Sequence, residues 1–231
     1  SYLMSRKNII AANWKMNMGP SETAAFLDPF LKSFPEATSV DIVLAPPFVS
    51  LAKAAKLMAG NSAVALSAQN MSQEASGAYT GEINSAMLKE IGCKYVILGH
   101  SERRSIYGED DVVINKKVHA ALAAGLIPIL CIGESLEERD GGQLEFVLSR
   151  QLEGSLDGVD AEQMAGIVVA YEPVWAIGSG RTPSLAEIAE VHAVLRAHLK
   201  ARFGAEAAGV RLLYGGSVKS VNAAEIFALP H

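Results

Sequence analysis

Cysteine is scarce: Cys93 and Cys131 are the only two in 231 residues. Two cysteines cannot make a disulfide framework, so the core must hold the fold. Both read as buried free thiols of a reducing compartment. No apolar run approaches the length of a membrane span. The first residues lack the apolar region of a secretory signal. A cytoplasmic location with no membrane partner is therefore expected. Blocks of like charge are missing too. The net charge of −5 is spread over interspersed acids and bases. That argues against a nucleic-acid stripe but leaves room for a local basic site for a small anion. No Pro- or Ser-rich tract divides the chain, so one domain over residues 1–231 is expected. Neither a cluster of metal-ligating residues nor a Gly-rich dinucleotide fingerprint follows the first strand pattern, and no metal or cofactor is expected.

What is present is half hydrophobic, enough for one sizeable core. Short apolar runs alternate with helical patterns. Residues 8–12, 41–45, 63–67, 95–98, 127–131, 167–170 and 210–214 read as strands. Several are continuous apolar runs, the pattern of strands covered on both faces, as in parallel sheets. Between them, Leu185, Ile188, His192, Leu195 and Leu199 mark one helix face, and Ser184 with Glu187 forms a capping-box pattern at its start. Gly92 ends another helix pattern. The alternation implies right-handed βαβ units. Without a dinucleotide fingerprint, a parallel α/β barrel is preferred over a doubly wound sheet. Only seven strands are evident. A barrel of this kind runs to about 250 residues, so the chain is expected to stop one strand and helix short.

The residues that carry chemistry fall at strand ends. The first strand leads into Asn13-Trp14-Lys15-Met16-Asn17, where a lysine can face inward as a fixed positive charge. Taken alone it reads as readily as a solvated surface lysine. The fourth leads into Gly99-His100-Ser101-Glu102-Arg103-Arg104. His100 stands where a helix begins, and that helix's positive end disfavours imidazolium. His119, His192 and His198 lie inside helical patterns and read as structural. The sixth strand runs into Tyr171-Glu172-Pro173 and then into Val174-Trp175-Ala176-Ile177-Gly178-Ser179-Gly180-Arg181-Thr182. A carboxylate here sits under a flap stiffened by proline and turned by glycines. Removal of a carbon-bound proton away from water needs such a layout. The seventh ends in Tyr214-Gly215-Gly216-Ser217, whose backbone N–H groups can bind phosphate oxygens. Residues 69–82 form a long loop, and long loops in compact domains are usually functional or interactive.

Together these segments resemble the triosephosphate isomerase family from about Lys7 to His231. The four motifs occur in the family's order, at the ends of strands one, four, six and seven. The resemblance implies a TIM barrel and the interconversion of glyceraldehyde 3-phosphate and dihydroxyacetone phosphate through an enediolate. It implies Glu172 as the base, His100 as the electrophile, and Lys15 as the charge that balances substrate and enediolate. It implies Asn13 as an orienting group, Glu102 and Cys131 as supports, and Gly178, Gly215, Gly216 and Ser217 as the phosphate grip. Residues 173–182 would form the lid. A homodimer would pair through loop 69–82, with Thr80 docking on the second copy. The alternative from another class is an inactive or weakly active barrel remnant, serving folding or assembly. A further alternative is a different sugar-phosphate isomerase.

Overall fold

The computed structural model describes residues 8–33, 39–176 and 183–214. Contacts within the chain divide it into two units. Of the described residues, one holds those from 8 to 98 together with Lys116–Pro128; the other holds Gly99–Asn115 and those from 129 to 214.

In the first unit the order is β1 (Asn8–Asn13), α1 (Pro20–Lys32), β2 (Val40–Ala45), α2 (Phe48–Met58), β3 (Val64–Ala68), α3 (Ser85–Ile91) and β4 (Tyr95–Leu98). Neighbouring strands pair in parallel, β1 with β2 from Asn8↔Val40 to Asn13↔Ala45, β2 with β3 around Val43↔Ala65, and β3 with β4 at Ser67↔Tyr95. The continuous apolar reading holds: Ile42 to Ala45 and all four residues of β4 are buried. Removing each Leu, Ile or Val side chain from water contributes about 1.5–3 kcal/mol. Helix α3 stops at Gly92, whose φ of +110° belongs to the left-handed region that favours glycine.

The second unit contains α4 (Ser101–Ser105), most of β5 (Ile127–Ile132), α6 (Leu136–Asp140), α7 (Leu144–Ser155), α8 (Ala161–Met164), β6 (Val168–Tyr171), α9 (Leu185–Phe203) and β7 (Arg211–Tyr214). Helix α5 (Asp111–Ala123) runs from this unit into the other. Strands β5, β6 and β7 pair in parallel, from Ile129↔Val168 to Ile132↔Tyr171 and from Val168↔Arg211 to Tyr171↔Tyr214. In both units sheet order follows chain order. Neither contains the order reversal that a doubly wound sheet requires.

Helix α9 has the capping box expected of it. The Ser184 hydroxyl accepts from the Glu187 N–H, and the Glu187 carboxylate accepts from the Ser184 N–H. Its buried face is Ile188, Val191, His192, Leu195, Leu199 and Phe203. Leu185, assigned to that face by spacing, is 36% exposed. It is the helix's first residue, and the buried stripe begins one turn later.

Candidate active site

His100 follows β4 by two residues and is the N-cap of α4. Its Nδ1 accepts the Glu102 backbone N–H at 3.1 Å. A ring nitrogen that accepts carries no proton, so this hydrogen bond selects the tautomer with its proton on Nε2. Nε2 lies 2.9 Å from Glu172 Oε2, and both side chains are only 8% exposed. Glu102 reaches back toward the same ring, Oε2 lying 3.7 Å from Nδ1. The chain turns into this cap at Gly99, φ +71°, where a Cβ would crowd Arg104 Nη2, Ile114 Cγ2 and Cys131 O at 3.1–3.3 Å.

Glu172 is tied through its backbone. Its N–H donates to Ile132 O at 2.8 Å, and the Val174 N–H donates to Glu134 O at 3.0 Å. The end of β5 is thereby laced to the segment that follows β6. Between the two ties lies Gly133. A Cβ there would sit 1.6 Å from the Glu172 carbonyl oxygen, so only glycine lets the two backbones approach this closely.

Around this core lies a shell of polar groups. The Arg104 guanidinium donates to Gly99 O at 2.8 Å, to Asp111 Oδ1 at 2.6 Å and to Cys131 O at 3.2 Å. Burial pushes the Cys131 thiol well above its ordinary range, and the neighbouring Glu172 charge pushes it the same way. A cavity of about 240 Å³ is lined by Gly99, Ser101, Arg104, Cys131, Gly133, Gln151 and Glu172 among others.

One cluster escaped the sequence reading. The Glu134 side chain is fully buried. Its carboxylate accepts from Tyr171 Oη at 2.5 and 3.0 Å and from Trp175 Nε1 at 3.2 Å. Burial raises its pKa above the ordinary carboxylate value, and the two donors pull the other way. The Arg139 guanidinium lies over the Trp175 ring and pairs with Glu187. Trp175 belongs to a 3₁₀ turn, Val174–Ala176, that opens the expected lid. This buried, hydrogen-bonded setting for Glu134 was not readable from its position just past β5, because its donors are 37 and 41 residues away.

In the other unit, Asn13 Oδ1 accepts the Lys15 N–H at 2.9 Å. Lys15 has φ +55°, rare for a residue with a side chain and costly by about 1–3 kcal/mol. Gln69 Nε2 donates both to Lys15 O and to Ala45 O at 2.8 Å. Asn13 and Lys15 thus occupy one turn clamped by Gln69, a partner that the sequence reading placed only at the start of a loop. Thr80 is exposed on that long loop, whose base is closed by the Ser72 N–H donating to Ile83 O. Gly178, Gly215, Gly216, Ser217 and lid positions 177–182 lie outside the described residues.

The structure therefore brings His100, Glu172, Glu102 and Cys131 together in one unit, and Asn13 and Lys15 together in the other. Among the described residues, no group of three or more His, Cys, Asp or Glu could hold a metal ion. No described helix is long and apolar enough to cross a membrane.

Comparison with known proteins agrees with this geometry. The family model for triosephosphate isomerase matches residues 8–231. The triosephosphate isomerase of Herpetosiphon aurantiacus is 53% identical over 226 residues, 97% of this chain and 90% of that protein. That of Symbiobacterium thermophilum is 51% identical over 97% of this chain and 88% of its own length. The crystal structure of triosephosphate isomerase from Bartonella henselae superposes with a TM-score of 0.85 at 41% identity, over 97% of this chain and 89% of that one. The fold class is accordingly the parallel (β/α) TIM barrel, with seven of its strands described. The chain belongs to the triosephosphate isomerase family and is an enzyme of that type.

Proposed function

We propose that the chain interconverts glyceraldehyde 3-phosphate and dihydroxyacetone phosphate by moving a proton between adjacent carbons. The observation that carries this is the 2.9 Å approach of His100 Nε2 to Glu172 Oε2, with Nδ1 engaged as an acceptor. A carboxylate that takes no proton from the ring is free to take one from carbon. As the C–H bond breaks, its electron pair forms the C=C bond of an enediolate, and the carbonyl π pair moves onto oxygen. The Nε2–H donates a hydrogen bond to that oxygen. Return of the proton to the neighbouring carbon, with transfer of the hydroxyl proton from the first carbon's oxygen to the former carbonyl oxygen, completes the isomerisation with no net oxidation.

General base catalysis supplies about 10²–10⁴-fold. Hydrogen-bond donors aimed at the developing charge supply about 3 kcal/mol each. In this reading His100 is one such donor and Lys15 balances the negative charge. Asn13 orients the substrate, while Gly178, Gly215, Gly216 and Ser217 hold the phosphate and residues 173–182 close over it. The enzyme would act in glycolysis and gluconeogenesis in the cytoplasm. It would pair with a second copy through loop 69–82, where Tyr79 is 48% exposed.

A coupled isomerase assay tests the central role. Glu172→Ala should cut turnover by at least ~10²-fold with circular dichroism unchanged. Near-normal turnover in that variant refutes the assignment of Glu172.

A further inference from the structure

We infer that Gln151, which the family resemblance did not include, is a positioning residue for the base. The inference rests on the isomerase reading of Glu172. Gln151 lies on α7 within a buried stripe of Val147, Leu148, Leu152 and Ser155 and is only 5% exposed. An amide on such a stripe must have both its polar ends satisfied. Its Oε1 accepts the Gly133 N–H at 2.9 Å, and its Nε2 donates to Gly133 O at 3.2 Å.

The first of these bonds matters most for the base. The Gly133 N–H and the Ile132 C=O belong to one peptide plane. Gln151 holds the N–H end of that plane, and the C=O end accepts the Glu172 N–H at 2.8 Å. A single chain of hydrogen bonds thus runs from the Gln151 amide through one peptide to the backbone of the base. Each bond polarises the next. Gly133 itself is packed against the Glu172 carbonyl, with no room for even a Cβ. Any tilt of the 132–133 peptide is therefore passed to Glu172. A displacement of about 1 Å at a reacting group can cost ~10²-fold in rate. Gln151 touches no reacting atom in this scheme and acts wholly through Gly133.

The test is Gln151→Met, which keeps the volume and loses both hydrogen bonds. In the full chain, kcat should fall ~10- to 100-fold. KM and the inhibition constant of inorganic phosphate should stay within about 2-fold of the unsubstituted chain, because the proposed function assigns the phosphate to other residues. An unchanged kcat overturns the inference. So does an equal loss in kcat and phosphate binding, which would mean a general loosening of the site. If Gln151→Met does not fold, Gln151→Glu decides. It retains an acceptor for the Gly133 N–H and loses the donor, so kcat should fall by about 3- to 10-fold, and an unchanged kcat again overturns the inference. An inactive unsubstituted chain would sink the isomerase reading and this inference with it. An active chain that Gln151→Met and Gln151→Glu leave intact sinks the inference alone.

Discussion

Tyr171→Phe isolates the cluster beside the lid. The Tyr171 hydroxyl makes the shortest contact to the Glu134 carboxylate, 2.5 Å to Oε1, and Trp175 adds a weaker one at 3.2 Å. Deleting the hydroxyl leaves a fully buried carboxylate with one of its two side-chain donors. A hydrogen bond to a charged group is worth about 1.5–3 kcal/mol, more than one to a neutral group, so its loss raises the carboxyl's folded pKa. The sign of the pH dependence follows from the direction of the existing shift. Burial already holds Glu134 above its ordinary 4.5 in the folded chain. Keeping it ionised in the fold therefore costs stability as pH rises past that value. In Tyr171→Phe the folded pKa climbs further, and the gap between variant and parent opens through the interval between the two folded pKa values. Above that interval the gap is full. Below it, both proteins carry a protonated Glu134, and the loss shrinks to that of a neutral hydrogen bond, about 0.5–1.5 kcal/mol. Urea denaturation followed by circular dichroism, at about pH 8 and about pH 4, measures both limits. A gap that is the same at both, or a loss below ~0.5 kcal/mol on the alkaline side, would show that the hydroxyl does not stabilise the buried charge.

The two thiols and the α9 cap give further tests. Burial pushes the Cys93 pKa from 9.0 to about 12; at neutral pH its thiolate is ~10³-fold scarcer than that of a free thiol. Cys131 is displaced in the same direction. Iodoacetamide should therefore label both far more slowly in the folded chain than in urea, and comparable rates in the two conditions would contradict their burial. Glu187 is held below its ordinary 4.5, first by the Ser184 N–H and further by Arg139. A depressed carboxylate stabilises the fold above 4.5, and that stability is lost as pH falls through the folded value. Glu187→Gln keeps a capping side chain without the charge. It should flatten the acid-side loss of stability by less than ~1 kcal/mol, because the pair is partly exposed and screened. An unaltered acid limb in thermal melts would remove Glu187 from the account.

The strands were legible because burial on both faces leaves continuous apolar runs, and the observed ends fall within one residue of the expected ones: β3 is Val64–Ala68, for example, where the expectation was 63–67. His100 and Glu172 were legible for a different reason. Each lies within two residues of the end of a buried apolar run, Tyr95–Leu98 for His100 and Val168–Tyr171 for Glu172. The groups that hold them were not legible. Glu134 meets Tyr171 across 37 residues, and Gln151 meets Gly133 across 18; no local pattern records a pairing set by how distant elements pack. Gln151 did leave a trace, a polar side chain at a position where helical spacing buries its neighbours. The Lys15 backbone left none, since lysine does not favour the left-handed region, and only the Asn13 side chain two residues earlier favours such a turn.

The His100 cap bears on what the proposed reaction can use. Protonating Nδ1 would set a donor against the Glu102 N–H and break the bond that caps α4. The cap thus selects a ring that donates from Nε2 and accepts at Nδ1. An imidazolium would instead form an ion pair with Glu172 at 2.9 Å, and its full charge would weaken the carboxylate as a base for the carbon-bound proton. The neutral donor polarises a carbonyl without competing for the base in that way. The same helix start that orients the ring therefore keeps two neighbouring groups in separate roles. It follows that the backbone N–H of Glu102, rather than its carboxylate, is the part of that residue that orients the ring: Glu102→Gln, which preserves the N–H, should lose less turnover in the coupled assay than His100→Gln, which removes the imidazole that accepts from it.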